Sequence, residues 1–394
     1  MNFYKYKHLS FFTLCLTSII LFSFSPFLAQ KSVLTNICGK IGYLIFLGSL
    51  VVYIFSTSFY KKKFIRICLF LSILFFFIIL GVKSSGTNAV ASYFINFGLP
   101  LFIVLFLYAD TKQYILFSSY EKSIFFFILY FCAFLNCIYS IYLVHTFNGD
   151  LSSLYIANGK YSDFNYIRNG KLRAFGFLNS AVTFSNYISV ILSTVLFRIK
   201  VKKNFLVRLF FISIMFYSLY LSGSRTPLVS LFATLLILFL FRKKNKKFIP
   251  IISVLFIVLI LIFVSITARD LSALGRIRQY LRGIDLFVHN PIGYGFGYAS
   301  FPDGQELFDC SILTIPVNFG LFGLVLLLIL YSKTIKSNER NCNGIIRNAL
   351  LINTFISSGF VNVVNLGLLT MVIFIYYLKA RYNEENISYS DLQM

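Results

Sequence analysis

The chain has 394 residues, 58% of them hydrophobic and only 12% charged, against about a quarter charged in an average soluble domain. An ordinary soluble protein is therefore excluded, and apolar runs of about 17–25 residues are the length of membrane-spanning helices and too long and unbroken for barrel strands. A formal charge of +23 would suit nucleic acid, but the basic clusters lie in short loops between the apolar runs; the positive-inside rule accounts for them, and no nucleic-acid partner is expected.

In chain order the runs predict about twelve spans, at 9–29, 41–59, 64–82, 90–108, 123–146, 175–197, 205–222, 227–241, 248–267, 309–331, 345–359 and 361–378. The first run is as long as a full span and has no clear small-residue cleavage site, so no cleavable leader is expected. Charge sets the orientation. Lys61, Lys62, Lys63 and Arg66 form one basic cluster, Arg198, Lys200, Lys202 and Lys203 a second, and Arg242, Lys243, Lys244, Lys246 and Lys247 a third. All three fall on the side of the N-terminus, which is therefore cytoplasmic, and the C-terminal tail, 379–394, ends there too. The last two spans carry Asn353, Ser357, Ser358, Gly359, Asn362 and Asn365, polar enough to be either buried or a re-entrant hairpin. The expected fold is all-α: one polytopic membrane domain over 1–394, both termini cytoplasmic. Cys15, Cys68, Cys132 and Cys137 lie inside apolar runs and read as core residues; no cysteine spacing suggests a metal site.

Two long segments, about 147–174 and 268–308, then stand on the outer side. With one short turn they carry Arg168, Arg173, Arg225, Arg269, Arg276, Arg278 and Arg282. Lysine is the usual topological charge, whereas arginine presents a planar fork of donors suited to phosphate oxygens. Arginine on the outer face points to a phosphorylated substrate handled there. The aromatics Tyr161, Phe164, Tyr166, Tyr294, Phe296, Tyr298 and Phe301 in the same segments either stack on sugar rings or form an interfacial belt.

Three motifs carry candidate chemistry. In Ser222-Gly223-Ser224-Arg225-Thr226-Pro227, Thr226 suits a helix cap and Pro227 the first helical position. The turn is either an anion site beside a helix N-terminus or a tight turn whose arginine reaches lipid phosphate. Over 270–289, Leu271, Leu274, Ile277, Leu281, Ile284 and Val288 recur at helical spacing and predict an amphipathic helix on the membrane surface. Arg278, Arg282, Asp285 and His289 share one flank of it, either a diphosphate grip ending in a proton acceptor or a solvated basic face. Asn290-Pro291 ends that helix, and Gly293-Tyr294-Gly295-Phe296-Gly297 gives a flexible turn. Finally, Asp303, Glu306 and Asp309 precede a long span, and one of them is either a general base or, for Asp309, a helix cap.

These motifs, in this order, resemble the bacterial O-antigen polymerase and O-antigen ligase superfamily. Arg173-Ala-Phe-Gly176-Phe-Leu-Asn179 is similar to its Arg…Gly-Phe…Asn segment, and Ser222-Gly-Ser-Arg225-Thr to its Ser-Arg turn. Gly275-Arg276 through Pro291-Ile-Gly293-Tyr-Gly295-Phe-Gly297 is similar to its Arg…Pro-x-Gly-x-Gly segment, and Asp309 through Asn318-Phe-Gly320-Leu-Phe-Gly323 to its following Gly-Leu-x-Gly span. The resemblance covers about residues 165–330. It implies an integral inner-membrane glycosyltransferase working at its periplasmic face on a glycan carried by undecaprenyl diphosphate, with no metal or other cofactor. The implied partners are undecaprenyl-diphosphate-linked oligosaccharides and the lipid bilayer, with a chain-length regulator and a flippase beside them. The family's functional arginines fall on Arg225 and Arg276, whereas the helical face picks Arg278 and Arg282; with Arg173 these are the candidate diphosphate ligands.

One departure separates subfamilies. Ligases of this family carry a histidine, typically followed by asparagine, at the head of the span after the large loop, where this chain has Asp309-Cys310. That favours a polymerase of O-antigen or capsule repeat units over a ligase to lipid A–core, and leaves Asp309, Glu306 and His289 as candidate bases. A transporter or flippase of lipid-linked oligosaccharide is the rival of another class; inverted repeats and intramembrane charge would mark it, and neither stands out here.

Overall fold

The computed structural model describes residues 16–17, 20, 24, 61–94, 119–149, 167–168, 170–178, 181–197, 205–240, 271–298 and 311–336, and these are mostly helical. Helix α1 spans Lys61–Ser85, α2 Thr87–Tyr93, α3 Ser119–Thr146, α4 Ala181–Phe197, α5 Phe205–Leu221, α6 Arg225–Leu240, α7 Leu271–His289 and α8 Ser311–Lys336. A two-residue hairpin, β1 Ile167–Arg168 against β2 Lys171–Leu172, pairs Ile167 with Leu172 around Gly170. The expected spans at 41–59, 248–267, 345–359 and 361–378 lie outside the described residues, as do Glu306 and Asp309.

Among the described residues Ser123–Thr146 is long and apolar enough to cross a membrane, and Leu71–Ser85, Ala181–Leu196, Leu209–Leu221 and Leu313–Val325 are shorter apolar helices. Their outward faces are apolar as well. Phe127, Phe131, Ile138 and Tyr142 line one exposed face of α3, and Leu206, Val207, Leu209 and Phe210 are exposed on α5. Contiguous exposed apolar surface on this scale marks a lipid or protein contact. Cys68, expected in the core, is instead exposed on α1, between exposed Ile65 and Leu69. An apolar run does not tell its exposed face from its packed face.

The close helix pairs fall into two sets. In the first, α4 is central, packed on α3, α5 and α6. It is buried on nearly every side, and small polar residues let its neighbours approach. Ser185 donates to the Ala181 carbonyl at 2.6 Å and Ser193 to the Ser189 carbonyl at 2.8 Å, which satisfies their hydroxyls without solvent. The Tyr130 and Thr194 hydroxyls, 3.0 Å apart, tie α3 to α4. The span expected at 175–197 begins as a helix only at Ala181. Gly176 is left-handed (φ 55°) and Asn136 Oδ1, from inside α3, captures the Phe177 N–H at 2.9 Å, so this stretch is bonded as a loop.

In the second set α1, α2, α7 and α8 pack together. Helix α8 is broken at Gly320 (φ 56°, ψ −143°). The glycine-rich stretch after α7 is built into that break. Tyr294 N–H donates to the Val317 carbonyl at 3.0 Å, Gly295 N–H to Asn318 at 2.9 Å, and Leu321 N–H to the Pro291 carbonyl at 2.8 Å. On the other side Phe296 N–H reaches the Phe77 carbonyl of α1 at 3.1 Å, and Asn318 Oδ1 accepts from Tyr298 N–H at 3.1 Å. The turn expected to be flexible is a packed strap between two helices, and these N–H groups are committed to protein acceptors rather than to a phosphate.

The glycines are steric requirements there. A Cβ on Gly295 would collide with the Gly81 backbone, and Gly295 also sits at φ 85°. Gly295→Ala is expected to destabilise the protein by about 1–3 kcal/mol or more, the range for forced overpacking. Gly149→Ala is the control, since Gly149 has φ 96° but nothing within 4 Å of its Cβ position. Thermal unfolding of both variants in detergent separates the steric cost from the backbone cost; equal midpoints would refute the close approach.

Candidate functional site

The first candidate site forms where the hairpin meets the turn between α5 and α6. Leu172 and Phe175 are buried with Leu143 and Ala181, which draws Arg173 inward with them; its side chain is only 9% exposed. The guanidinium bridges the turn: Nε donates to the Ser222 carbonyl at 2.9 Å and Nη2 to Ser224 Oγ at 2.8 Å. Ala174 N–H adds a bond to the Leu221 carbonyl at 3.1 Å. These carbonyls belong to the end of α5, where the helix dipole is negative, so a buried cation is favourable there.

The turn is fixed from within as well. Gly223 adopts the left-handed conformation (φ 60°) common just past a helix end. Ser222 Oγ donates to the Leu219 carbonyl at 2.6 Å and accepts the Ser224 N–H at 3.3 Å. Helix α6 begins at Arg225, one residue before the expected cap Thr226, so Ser224 stands at the capping position with its hydroxyl accepting from Arg173. Pro227 falls in the first turn, where its missing N–H has no intrahelical partner to lose. Arg225 is exposed at the head of α6.

His145 ends α3 on this side, its Nε2 2.9 Å from Tyr217 Oη and its ring stacked on that tyrosine. Asn136 was not legible as a functional residue; its only signal is an amide in the middle of the apolar run 123–146. Its Nδ2 donates to the Cys132 carbonyl of its own helix at 3.0 Å, which orients the amide so that Oδ1 docks the loop 173–178. Tyr139 and Phe177 stack at 4.2 Å over it.

The second candidate site lies along α7. The expected amphipathic helix is present: Gly283 packs against Leu313 of α8, Leu286 joins Leu313 and Val317, and Leu281, Ile284 and Val288 form an exposed apolar stripe. Arg278, Asp285 and His289 are exposed and Arg282 is half-buried. Arg276 lies in α7, but its side chain is outside the described residues. His289 Nδ1 is 2.8 Å from the Asp285 carbonyl oxygen and 3.2 Å from Asp285 Oδ1. A carbonyl only accepts, so this bond puts a proton on Nδ1, and in the neutral ring the lone pair is then on Nε2. Tyr294 and Tyr298 stack at 4.0 Å beside them. Desolvation, with Tyr298 and Asp285 nearby, pushes the Tyr294 phenol above its ordinary value, so it stays a neutral donor.

The structure thus brings Arg173 to the Arg225 turn, and Arg278 and Arg282 to the same helix as Asp285 and His289. The two groups sit on different helix sets. Among the described residues, no three or more His, Cys, Asp or Glu side chains gather as a metal site requires.

Residues 210–328 match the family model described as O-antigen ligase. The match runs from α5 through the Ser-Arg turn and α7 into α8, and this stretch is similar to the O-antigen polymerase and ligase superfamily that the motifs resemble. Members of that family are membrane proteins, glycosyltransferase-like enzymes that act on lipid-linked glycans. No curated protein matches the chain.

Proposed function

We propose that the protein is a polysaccharide polymerase that joins undecaprenyl-diphosphate-linked oligosaccharide repeat units at the periplasmic face of the inner membrane. The observation that carries the reading is the turn at Ser222–Arg225: a buried arginine holds it and a second arginine is presented at its edge. In this reading the protein has about twelve spans, cytoplasmic termini and periplasmic segments at about 147–174 and 268–308.

Arg225 grips the diphosphate, with Arg276, Arg278 and Arg282 as further ligands from α7. Arg173, whose Nε and Nη2 are committed to the turn, positions Arg225. The leaving diphosphate gains negative charge as the sugar bond breaks, and fixed guanidinium groups stabilise that charge in the transition state more than in the ground state. A hydroxyl of the sugar on the next lipid-linked unit attacks the anomeric carbon and gives its proton to a base. His289 Nε2 is the base favoured among the described residues, because Asp285 holds the ring in the right tautomer; Asp309 and Glu306 remain the other candidates. The stacked pair Tyr294 and Tyr298 offers an aromatic face for a sugar ring. The growing glycan leaves its own lipid and is joined to the incoming unit.

Asp309-Cys310 in place of the ligases' histidine supports polymerase over ligase. Deleting the gene and separating extracted lipopolysaccharide on a gel tests the reading. A product with a single repeat supports it. Free lipid-linked polymer with bare core makes the protein a ligase, and absence of any exported repeat makes it a flippase.

A further inference from the structure

The flank of α5 and α6 below the Ser-Arg turn holds a groove of about 630 Å³. Ile212, Phe216, Tyr217 and Tyr220 of α5 form one wall, and Leu228 and Phe232 of α6 form the other. Apart from Ser213 and the tyrosine hydroxyls its lining is apolar. Tyr220 and Phe232 are 76% and 63% exposed, so these large rings face outward without burying themselves in the helix pair. His145 Nε2 is 2.9 Å from the Tyr217 hydroxyl, which ties that wall to the end of α3.

Arg225 stands three residues before Leu228 on α6, about one helical turn above the groove. From Tyr220 to Ile212 the α5 wall runs for about 12 Å along the helix axis, most of the depth of one leaflet's hydrocarbon. A cation at the mouth and an apolar channel of leaflet depth complement a molecule with an anionic head and a long hydrocarbon chain. We infer that this groove seats the polyisoprenoid chain of the lipid diphosphate whose head Arg225 engages. The inference rests on the proposed donor lipid. Seating the chain fixes the head group laterally, so the reactive phosphate–sugar bond is held over the Arg225 turn instead of diffusing along the helix surface. Binding energy from a remote, non-reacting part of the substrate is thereby used for orientation.

The test uses the full-length protein in nanodiscs of phosphatidylethanolamine and phosphatidylglycerol, with Phe232 replaced by benzoylphenylalanine and radiolabelled undecaprenyl diphosphate as the probe. On irradiation, label is expected on the protein, removed by unlabelled undecaprenyl diphosphate and not by the same concentration of added phosphatidylglycerol. Ser213→Trp, which fills the groove from α5, is expected to lower labelling at least tenfold while thermal unfolding and monodispersity stay unchanged. Equal competition by phosphatidylglycerol would show ordinary bilayer lipid in the groove. A cross-link only to another segment of this chain would show that the protein fills it itself. Either result overturns the inference, as does undiminished labelling in a folded Ser213→Trp protein. Labelling involves no sugar transfer. It therefore stands or falls separately from the gel of the deletion strain, which tests the polymerase reading.

Discussion

Replacing Arg225 by lysine is expected to remove long-chain glycan and to leave the protein folded in the membrane. The side chain is exposed at the head of α6, and the turn is held by Arg173, Ser222 and Ser224. In the proposed reading the substitution therefore changes the surface that meets the substrate and spares the core. Lysine keeps the positive charge but replaces a planar fork of donors with a single flexible ammonium group. A preorganised donor aimed at developing charge is worth about 3–4 kcal/mol, so chain extension is expected to fall about 10²–10³-fold. The check is a lipopolysaccharide ladder from a deletion strain carrying the variant, beside an immunoblot of the membrane fraction. A normal ladder with normal protein would remove Arg225 from the mechanism. A missing ladder with missing protein would assign it to folding.

The fold was legible in the sequence to the extent that it depends on runs of apolar residues. Helices α3, α5 and α6 lie within a few residues of the spans expected at 123–146, 205–222 and 227–241. Period alone also found α7, because its apolar residues recur at helical spacing over a stretch otherwise rich in arginine. The misread stretches are those where groups remote in sequence compete with the helix for the backbone. Phe175–Leu178 is as apolar as a span, yet Asn136, some forty residues earlier, takes the Phe177 N–H and holds the stretch as a loop. The span expected at 309–331 is interrupted at Gly320 because a distant strap, Pro291–Tyr298, fills the opening. Neither partner is a sequence neighbour, so no local pattern announces it. The glycines of that strap illustrate the same point for function. Their spacing resembles a phosphate-cradling loop, but it is set by the approach of the Gly81 and Gly320 backbones. The arginines were legible by type, and their division between buried and exposed was not. Arg173 and Arg225 look equivalent in the sequence, and only burial separates the one that holds the turn from the one presented at its edge.

That division makes the second large effect predictable. Arg173→Lys is expected to cost both stability and turnover. The guanidinium reaches the Ser222 carbonyl through Nε and Ser224 Oγ through Nη2, two acceptors that one ammonium group cannot meet with the same geometry. Hydrogen bonds to a charged group contribute about 1.5–3 kcal/mol each, and a buried acceptor left without its donor adds a desolvation cost. The thermal midpoint in detergent should therefore drop for Arg173→Lys and hold for Arg225→Lys. The kinetic signature is sharper. If Arg173 acts through the position of Arg225, then once Arg225 is lysine the first residue has little left to position. In an assay of the purified protein with lipid-linked repeat units, the double variant should extend chains no more slowly than Arg225→Lys alone. Residues that touch the diphosphate independently would instead give losses that multiply, as distant or separate contacts do. A multiplicative loss, with the thermal midpoint of Arg173→Lys unchanged, would move Arg173 out of the turn's support and into direct contact with the substrate.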